Sequence, residues 1–351
     1  MRRRCMQIIL VAVLVVCAAQ GLWASDMNGL IEDAMHDLKI EKGNPNLLAL
    51  TNAAYVKVNG RTSQGYLDII RELTGCSIGK GNLLLFHRPI TYPLKIVLFR
   101  KDTKDSVILT LDGNKTEKIK INLDGDMAAS TDGWKQIQKK IKSVPDTFSI
   151  ITIANAWAKG APYDFLKCCE FHNHLCPGVS SGYQIVQFIL ERYPLKKAEK
   201  YVWISCPPWC KDDAIQILLD LTPGKRSMFV KNLSVDQKKA VSGEKKNDNI
   251  AGILVIWNNK KNKGKAIALR YNWGKLCEVS GVKKKDFKPK GGKKNPVFWT
   301  TRVKCNWGLM PYLDKPENFV KVAKELEINP QIYGKMISAG VNPYKVLGLS
   351  K

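Results

Sequence analysis

The sequence predicts an α+β chain arranged as two related helix–strand units followed by C-terminal helices. Three observations carry this. First, Asp68-Ile69-Ile70 and Gly79-Lys80 recur, without a gap, as Asp213-Ala214-Ile215 and Gly224-Lys225 at a constant offset of 145 residues. Second, each copy reads as a helix of roughly ten residues, a Gly-Lys turn and then runs of β-branched and aromatic residues with strand character. Third, 351 residues with 45% apolar composition are enough for two packed domains, and the composition does not suggest wholesale disorder.

The first 25 residues stand apart. Arg2-Arg3-Arg4 precede an apolar run from Met6 to Leu22, the layout of an export signal, and Ala19-Gln20-Gly21 is the best small-x-small cleavage pattern. An uncleaved membrane anchor is the alternative, since the run is slightly short for a full span. Export places the protein outside the cytoplasm, secreted or periplasmic. The eight cysteines beyond Gly21 then meet conditions that permit disulfides. Cys277 and Cys305, outside both cysteine clusters, are the expected pair.

The first unit, taken as residues 26–150, has strands at Asn82 to Phe86, Leu94 to Phe99 and Ser106 to Leu111. The second, residues 151–310, has strands at Tyr201 to Ile204, Ser227 to Val230, Ile250 to Trp257 and Ala266 to Arg270, and a helix from Ser181 to Arg192. Residues 311–351 are expected to add helices at Phe319 to Leu326 and Ile332 to Ser338, beyond a linker at Pro311 to Pro316. The Gly-Lys turns hold Lys80 and Lys225. Either lysine receives an anionic ligand or the pair simply closes a turn, because the full phosphate-loop spacing is missing.

The chemistry concentrates in the second unit. Residues 168–182 hold two of the chain's four histidines and three of its ten cysteines. Imidazole nitrogen and thiolate sulfur are preferred donors for zinc and similar ions, and the alternation His172-x-His174-x-Cys176 puts all three side chains on one side of an extended segment. Pro177 and Gly178 end that segment just before a helix, whose free N–H groups favour a thiolate at Cys176. At the end of the next strand, Cys206-Pro207-Pro208-Trp209-Cys210 presents two more sulfurs on a stiff backbone, as a metal-ligand pair, a disulfide or structural cysteines, with Asp212 positioned to cap the following helix. The 145-residue offset carries the His/Cys segment onto Met27 to Asp33, which has neither residue type, so one metal site is expected. Glu170 and Asp213 are the nearby carboxylates for general-base work.

Cys169-Glu170-Phe171-His172-Asn173-His174-Leu175-Cys176-Pro177-Gly178, then Cys210-Lys211-Asp212-Asp213-Ala214-Ile215-Gln216 and Thr222-Pro223-Gly224-Lys225, resemble the formylmethanofuran dehydrogenase E-subunit family, whose pattern runs F-H-G-H-x-C-P-G, C-x-x-D-A-I-Q and T-G-C-T-x-G-K-G-N. The resemblance covers about residues 165–270, and Thr74 to Asn82 keep the third motif in the first unit. It implies an α+β fold on a mixed or antiparallel sheet, a bound transition metal, usually zinc, and frequent dimerisation. Carried over residue by residue, it points to His172, His174, Cys176 and Cys210; Cys206 joins them on the strand-end reading. The family's Thr-Gly-Cys cysteine is Leu221 in the second unit and survives as Cys76 in the first, where an intramolecular pseudo-dimer would bring it to the site. No pterin-binding or closely spaced iron–sulfur cysteine pattern is present, and an exported chain does not meet a cytoplasmic dehydrogenase.

Two functions follow. One is an exported metal-binding protein with a closed four-donor shell holding zinc or another divalent transition metal. The other is an extracytoplasmic metalloenzyme with an open position for hydrolytic or redox chemistry on a small anionic substrate. Without the first 25 residues, 53 basic residues face 31 acidic ones, a net of +22. The excess gathers in Lys238 to Lys246, Lys260 to Lys265 and Lys283 to Lys294, which read as loops. Such runs suit an anionic surface or an acidic partner. Nucleic acid is disfavoured because the runs lack interleaved aromatics, and a membrane is met only through an uncleaved N-terminus.

Overall fold

The computed structural model describes residues 27–241 and 248–350. The export expectation over residues 1–25 and part of the Lys238 to Lys246 run lie outside the described residues. No described helix is long and apolar enough to cross a membrane. The fold is α+β, and the chain divides into two units, up to Asp124 and from Gly125.

In the first unit a helix over residues 27–37 (α1) leads to β1 (Leu47–Thr51), a hairpin of β2 (Lys57–Val58) and β3 (Arg61–Thr62), helix α2 (Tyr66–Thr74) and β4 (Leu83–Leu85). A meander of β5 (Leu94–Arg100), β6 (Asp105–Asp112) and β7 (Lys115–Asn122) completes it. The sheet order is β4-β1-β5-β6-β7, with β4 parallel to β1 and every other pair antiparallel. Ile31, Ala34 and Leu38 from the α1 region and Ile70 from α2 pack on Leu47, Ala49, Leu98 and Leu109 of alternate strand positions. Two-residue alternation puts one set of strand side chains under the helices and the other on the opposite face. Helix α2 stops at Gly75, whose φ of 73° is left-handed and where a Cβ would stand 2.7 Å from the Gly43 nitrogen.

The second unit opens with α3 (Gly125–Ala128), α4 (Thr131–Lys140), α5 (Val144–Ala158), α6 (Tyr163–Phe171) and α7 (Pro177–Arg192). Then come β8 (Glu199–Ser205), α8 (Lys211–Leu218), β9 (Met228–Val230), α9 (Val235–Val241), β10 (Asp248–Asn258) and β11 (Lys263–Asn272). After α10 (Trp273–Ser280) and α11 (Pro296–Leu309), the chain returns as β12 (Val320–Ile328) and closes with α12 (Pro330–Ile337) and α13 (Pro343–Val346). The sheet order is β12-β11-β10-β8-β9, with β8 and β9 parallel and the rest antiparallel.

The second sheet therefore has the pair senses of the first: one short parallel edge strand and a run of antiparallel neighbours. Ile185 and Ile189 of α7 and Ile215 of α8 pack on Tyr201, Trp203, Leu254, Ile267 and Leu269, the same placement as α1 and α2 in the first unit. The Gly-Lys turns agree bond for bond. Ser77 Oγ accepts from the Lys80 N–H at 3.2 Å, and Thr222 Oγ1 from the Lys225 N–H at 3.1 Å. The Ser77 N–H donates to Asn82 Oδ1 and the Thr222 N–H to Ser227 Oγ. Both lysines bend back to the carbonyl five residues earlier, Gly75 or Asp220, so turn closure accounts for them.

Three expectations are corrected. Phe319 to Leu326 is not a helix: Val320–Ile328 pairs antiparallel with β11, and the cross-strand ion pair of Lys265 with Glu325 helps override the helix-favouring Ala-Lys-Glu-Leu-Glu run. No disulfide forms among the described residues; Cys277 on α10 and Cys305 on α11 are free thiols, Cys305 pushed up to about 12 by burial. Lys238 and Lys239 lie in α9 rather than in a loop.

Candidate metal centre

The His/Cys segment is a tight turn between two helices rather than an extended strand. Helix α6 ends at Phe171, His172 caps it, and Asn173 reverses the chain with a left-handed φ of 61°. Asparagine tolerates that conformation because its short amide bonds locally, and here its Oδ1 meets His174 Nδ1 at 2.9 Å. Leu175 is clamped on both backbone groups: its N–H donates to Thr152 Oγ1 of α5 at 3.0 Å, and its carbonyl accepts from Asn306 Nδ2 of α11 at 2.8 Å. Cys176 then occupies the N-cap of α7, with Pro177 in the first turn, where a missing N–H costs nothing. The reversal puts His172 and Cys176 on one side and turns His174 toward Phe148, at 5.2 Å between ring centroids.

The other sulfur comes from the loop that follows β8. Cys210 is the N-cap of α8, so two helix N-termini converge on the site. Two glycines one turn apart on α7 make this contact possible. A Cβ on Gly178 would lie 2.7 Å from the Cys210 Cβ, and one on Gly182 would lie 2.2 Å from the Lys211 carbonyl oxygen.

Asp212 anchors the intervening loop from inside. Its carboxylate accepts from Trp203 Nε1, Ser205 Oγ and the Trp209 N–H, each at 2.7 Å, and pairs with the buried Lys211 ammonium, which also reaches the Pro207 carbonyl at 2.9 Å. Asp212 is thus a loop anchor in the first turn of α8, not its cap. Trp203 fits because β10 has a register shift beside Gly252, where a Cβ would stand 2.3 Å from the indole.

His172, Cys176 and Cys210 bring one ligand atom each to within 4.8 Å of one another. His172 Nε2 lies 3.7 Å from Cys176 Sγ, while Nδ1 meets Asp213 Oδ2 at 2.5 Å. A carboxylate on Nδ1 orients the ring and leaves Nε2 as the donor, an arrangement common behind metal-ligating histidines. The Cys176 thiol hydrogen-bonded to Cys210 holds Cys210 far below the ordinary thiol value, against burial and with help from His172. The same bond and burial push Cys176 well up, so the pair shares one proton. Burial disfavours charge on His172, but Asp213 and the Cys210 sulfur outweigh it and lift the imidazolium to about 9. One imidazole and two sulfurs suit a borderline-soft divalent ion, and three donors leave one tetrahedral position over.

The remaining candidates fall elsewhere. Cys206 continues the alternation of Val202 and Ile204 and is buried with them on the sheet face opposite Trp203, away from α7 and α8. Its carbonyl accepts the Tyr344 hydroxyl. His174 stands beside the site, its ring 4.3 Å from that of His172, but adds no atom to the three-donor group. Glu170 is 4% exposed and paired with Lys167 at 2.6 Å, so it does not serve as an open base. Cys76 belongs to the first unit's core, with its thiol on the Leu47 carbonyl.

Sequence reasoning missed the clamps from Thr152 and Asn306, which carry no motif signal. It also missed Arg302, a half-buried guanidinium seated 3.4 Å over the Phe298 ring that feels the charges of Cys176, Cys305 and Cys210.

Residues 171–306 match the family model described as FmdE, Molybdenum formylmethanofuran dehydrogenase operon. The match contains all three clustered donors and the Asn306 clamp. No curated protein matches the chain.

Proposed function

We propose that this chain, whose residues 171–306 carry a domain of the formylmethanofuran dehydrogenase E-subunit family, is an exported protein that holds one divalent transition metal, zinc or a similar ion, through His172, Cys176 and Cys210. The observation that carries this is the meeting of one imidazole nitrogen and two sulfurs from separate elements, with Asp213 behind the histidine. Nothing in ordinary core packing requires two cysteines at adjoining helix N-termini beside a carboxylate-held imidazole. The basic, apolar N-terminus supports export, and the shared pairing pattern of the two sheets supports their origin by duplication.

When bound, such a metal supplies Lewis acidity toward a group in its remaining position. The chain's own residues do the rest. Asp213 keeps the His172 ring in place, the α7 and α8 amides favour negative sulfur, and Asp212 with Lys211 fixes the loop carrying Cys210. Metal content of the mature chain should be close to one equivalent and should vanish in Cys176→Ser/Cys210→Ser. Full metal content in that variant, or none in the parent after supplementation, would overturn the assignment.

A second reading, an extracytoplasmic metalloenzyme, is favoured by one specific observation. A cleft of about 340 Å³ opens onto His172 and Cys210, with Asp213 on its wall. The net positive charge favours an anionic surface or an acidic partner, and assembly as a homodimer or through the two units of one chain follows the family's habit.

A further inference from the structure

The cleft beside the metal site has a chemistry of its own. Its apolar walls include Pro208, Trp209, Met228 and Val230; the polar groups on it are the Gln216 amide, the Asp213 carboxylate, and Ser205 and Asp212, which are bonded to each other. Trp209 is 48% exposed and Val230 57%, unusual for large apolar side chains next to polar groups already held in a network. Trp209 is fixed by its backbone N–H on Asp212 and by edge-on contact with Trp273, 5.9 Å between centroids, which leaves its ring available as a wall. Cys176 does not line the cleft, whereas His172 and Cys210 do, so the cleft opens between those two donors. Its volume lies in the range of small-molecule sites.

Charge decides what fits. A divalent ion with two thiolates is neutral, the Asp213 carboxylate on the cleft wall is negative, and the two cations that feel the sulfurs are engaged elsewhere, Lys211 on Asp212 and Arg302 over Phe298. Among the described residues, no lysine or arginine side chain lines the cleft. A carboxylate or phosphate would find no cationic side chain on the cleft wall to pair with directly. A third thiolate would add another negative charge to the shell. A heterocycle that coordinates through an uncharged ring nitrogen keeps the shell neutral, lays a flat apolar face on Trp209 and leaves a polar substituent to hydrogen-bond Gln216.

Resting on the metal assignment, we propose that the cleft binds an uncharged aromatic nitrogen heterocycle whose ring nitrogen takes the remaining metal position, with its ring against Trp209 and a polar substituent on Gln216. The small anionic substrate expected from the sequence is thereby replaced by a neutral one.

The test uses the mature chain loaded with cobalt, whose visible ligand-field bands report its coordination. Cobalt stoichiometry is measured first: failure to bind about one equivalent would count against the metal assignment itself. With cobalt bound, 4-phenylimidazole and imidazole should shift the bands saturably, and benzoate should not. Trp209→Ala should weaken 4-phenylimidazole about three- to tenfold, the worth of one aromatic contact, and leave imidazole unchanged. Loaded protein whose bands ignore both heterocycles has its fourth position closed, with His174 the nearest candidate to close it, and the proposal falls. It falls equally if benzoate binds as tightly as 4-phenylimidazole, or if Trp209→Ala weakens both heterocycles alike.

Discussion

At the scale of single residues, the site is a set of proton and donor positions whose behaviour can be worked out. With no ion bound, His172 carries a proton up to about pH 9 and the Cys176/Cys210 pair carries one more. A divalent ion must displace both. Affinity should therefore rise with pH between about 6 and 9, by up to about a hundredfold per unit while two protons leave, flattening once His172 is already neutral. Competition with a chromophoric chelator across that range checks it; a pH-independent affinity would contradict the proton assignment. Asp213→Asn removes the carboxylate behind His172 and should cost about 10- to 100-fold in metal affinity at little cost in folding, read by the same titration. His172 and Cys210 could be read from the sequence because donors of those types are rare and clustered. The role of Cys206 could not. Its strand parity, set by Val202 and Ile204 lying on the far face, sends its sulfur away from Cys210 although the two are close in sequence.

At the scale of elements, the site is made by helix starts meeting backbone to backbone. Gly182→Ala would drive a methyl into the Lys211 carbonyl and should destabilise the fold by about 1–3 kcal/mol, seen as a lower denaturation midpoint. Gly178→Ala pushes on Cys210 itself, so its larger effect should be on metal affinity. Asp212→Ala leaves Lys211 buried without its partner and should cost about 3–5 kcal/mol, the scale for breaking a buried pair. A chemical denaturation series ranks the three, and an Asp212→Ala protein as stable as the parent would mean that the loop does not hang on this carboxylate. Strands β4, β5, β6 and β8 to β11 and the two Gly-Lys helices were legible because periodicity and repetition agree locally, whereas β1 and β7 of the first sheet were not read. β12 was not, since Ala-Lys-Glu-Leu-Glu favours a helix alone and becomes a strand only when β11 offers its edge. The turn at Asn173 was hidden for a related reason: alternate donors suggest an extended chain, and one left-handed residue undoes that.

At the scale of the whole molecule, two sheets of the same pairing pattern carry very different chemistry. The first keeps the turn, the two helices and the core placement but has Gly65 ahead of α2 where the second has Cys210 ahead of α8. That much was visible in the 145-residue offset. The mature N-terminus should follow Gly21 if the signal is cleaved, which sequencing the exported protein decides; a retained Met1 would indicate an anchor. With 25 more basic than acidic residues in the full chain, retention on an anionic surface should weaken steeply with salt, and salt-independent retention would argue for an apolar or specific partner instead.

The contact of Gly182 with Lys211 also bears on how fast an ion leaves. Helices α7 and α8 meet there backbone to backbone, which sets the spacing of the two N-termini that carry Cys176 and Cys210. The exit is the cleft side, past His172 and Cys210. Loss of the ion then depends on access as well as on affinity: a slim chelator should strip it faster than a bulky one of equal strength, and any molecule lodged against Trp209 would act as a stopper.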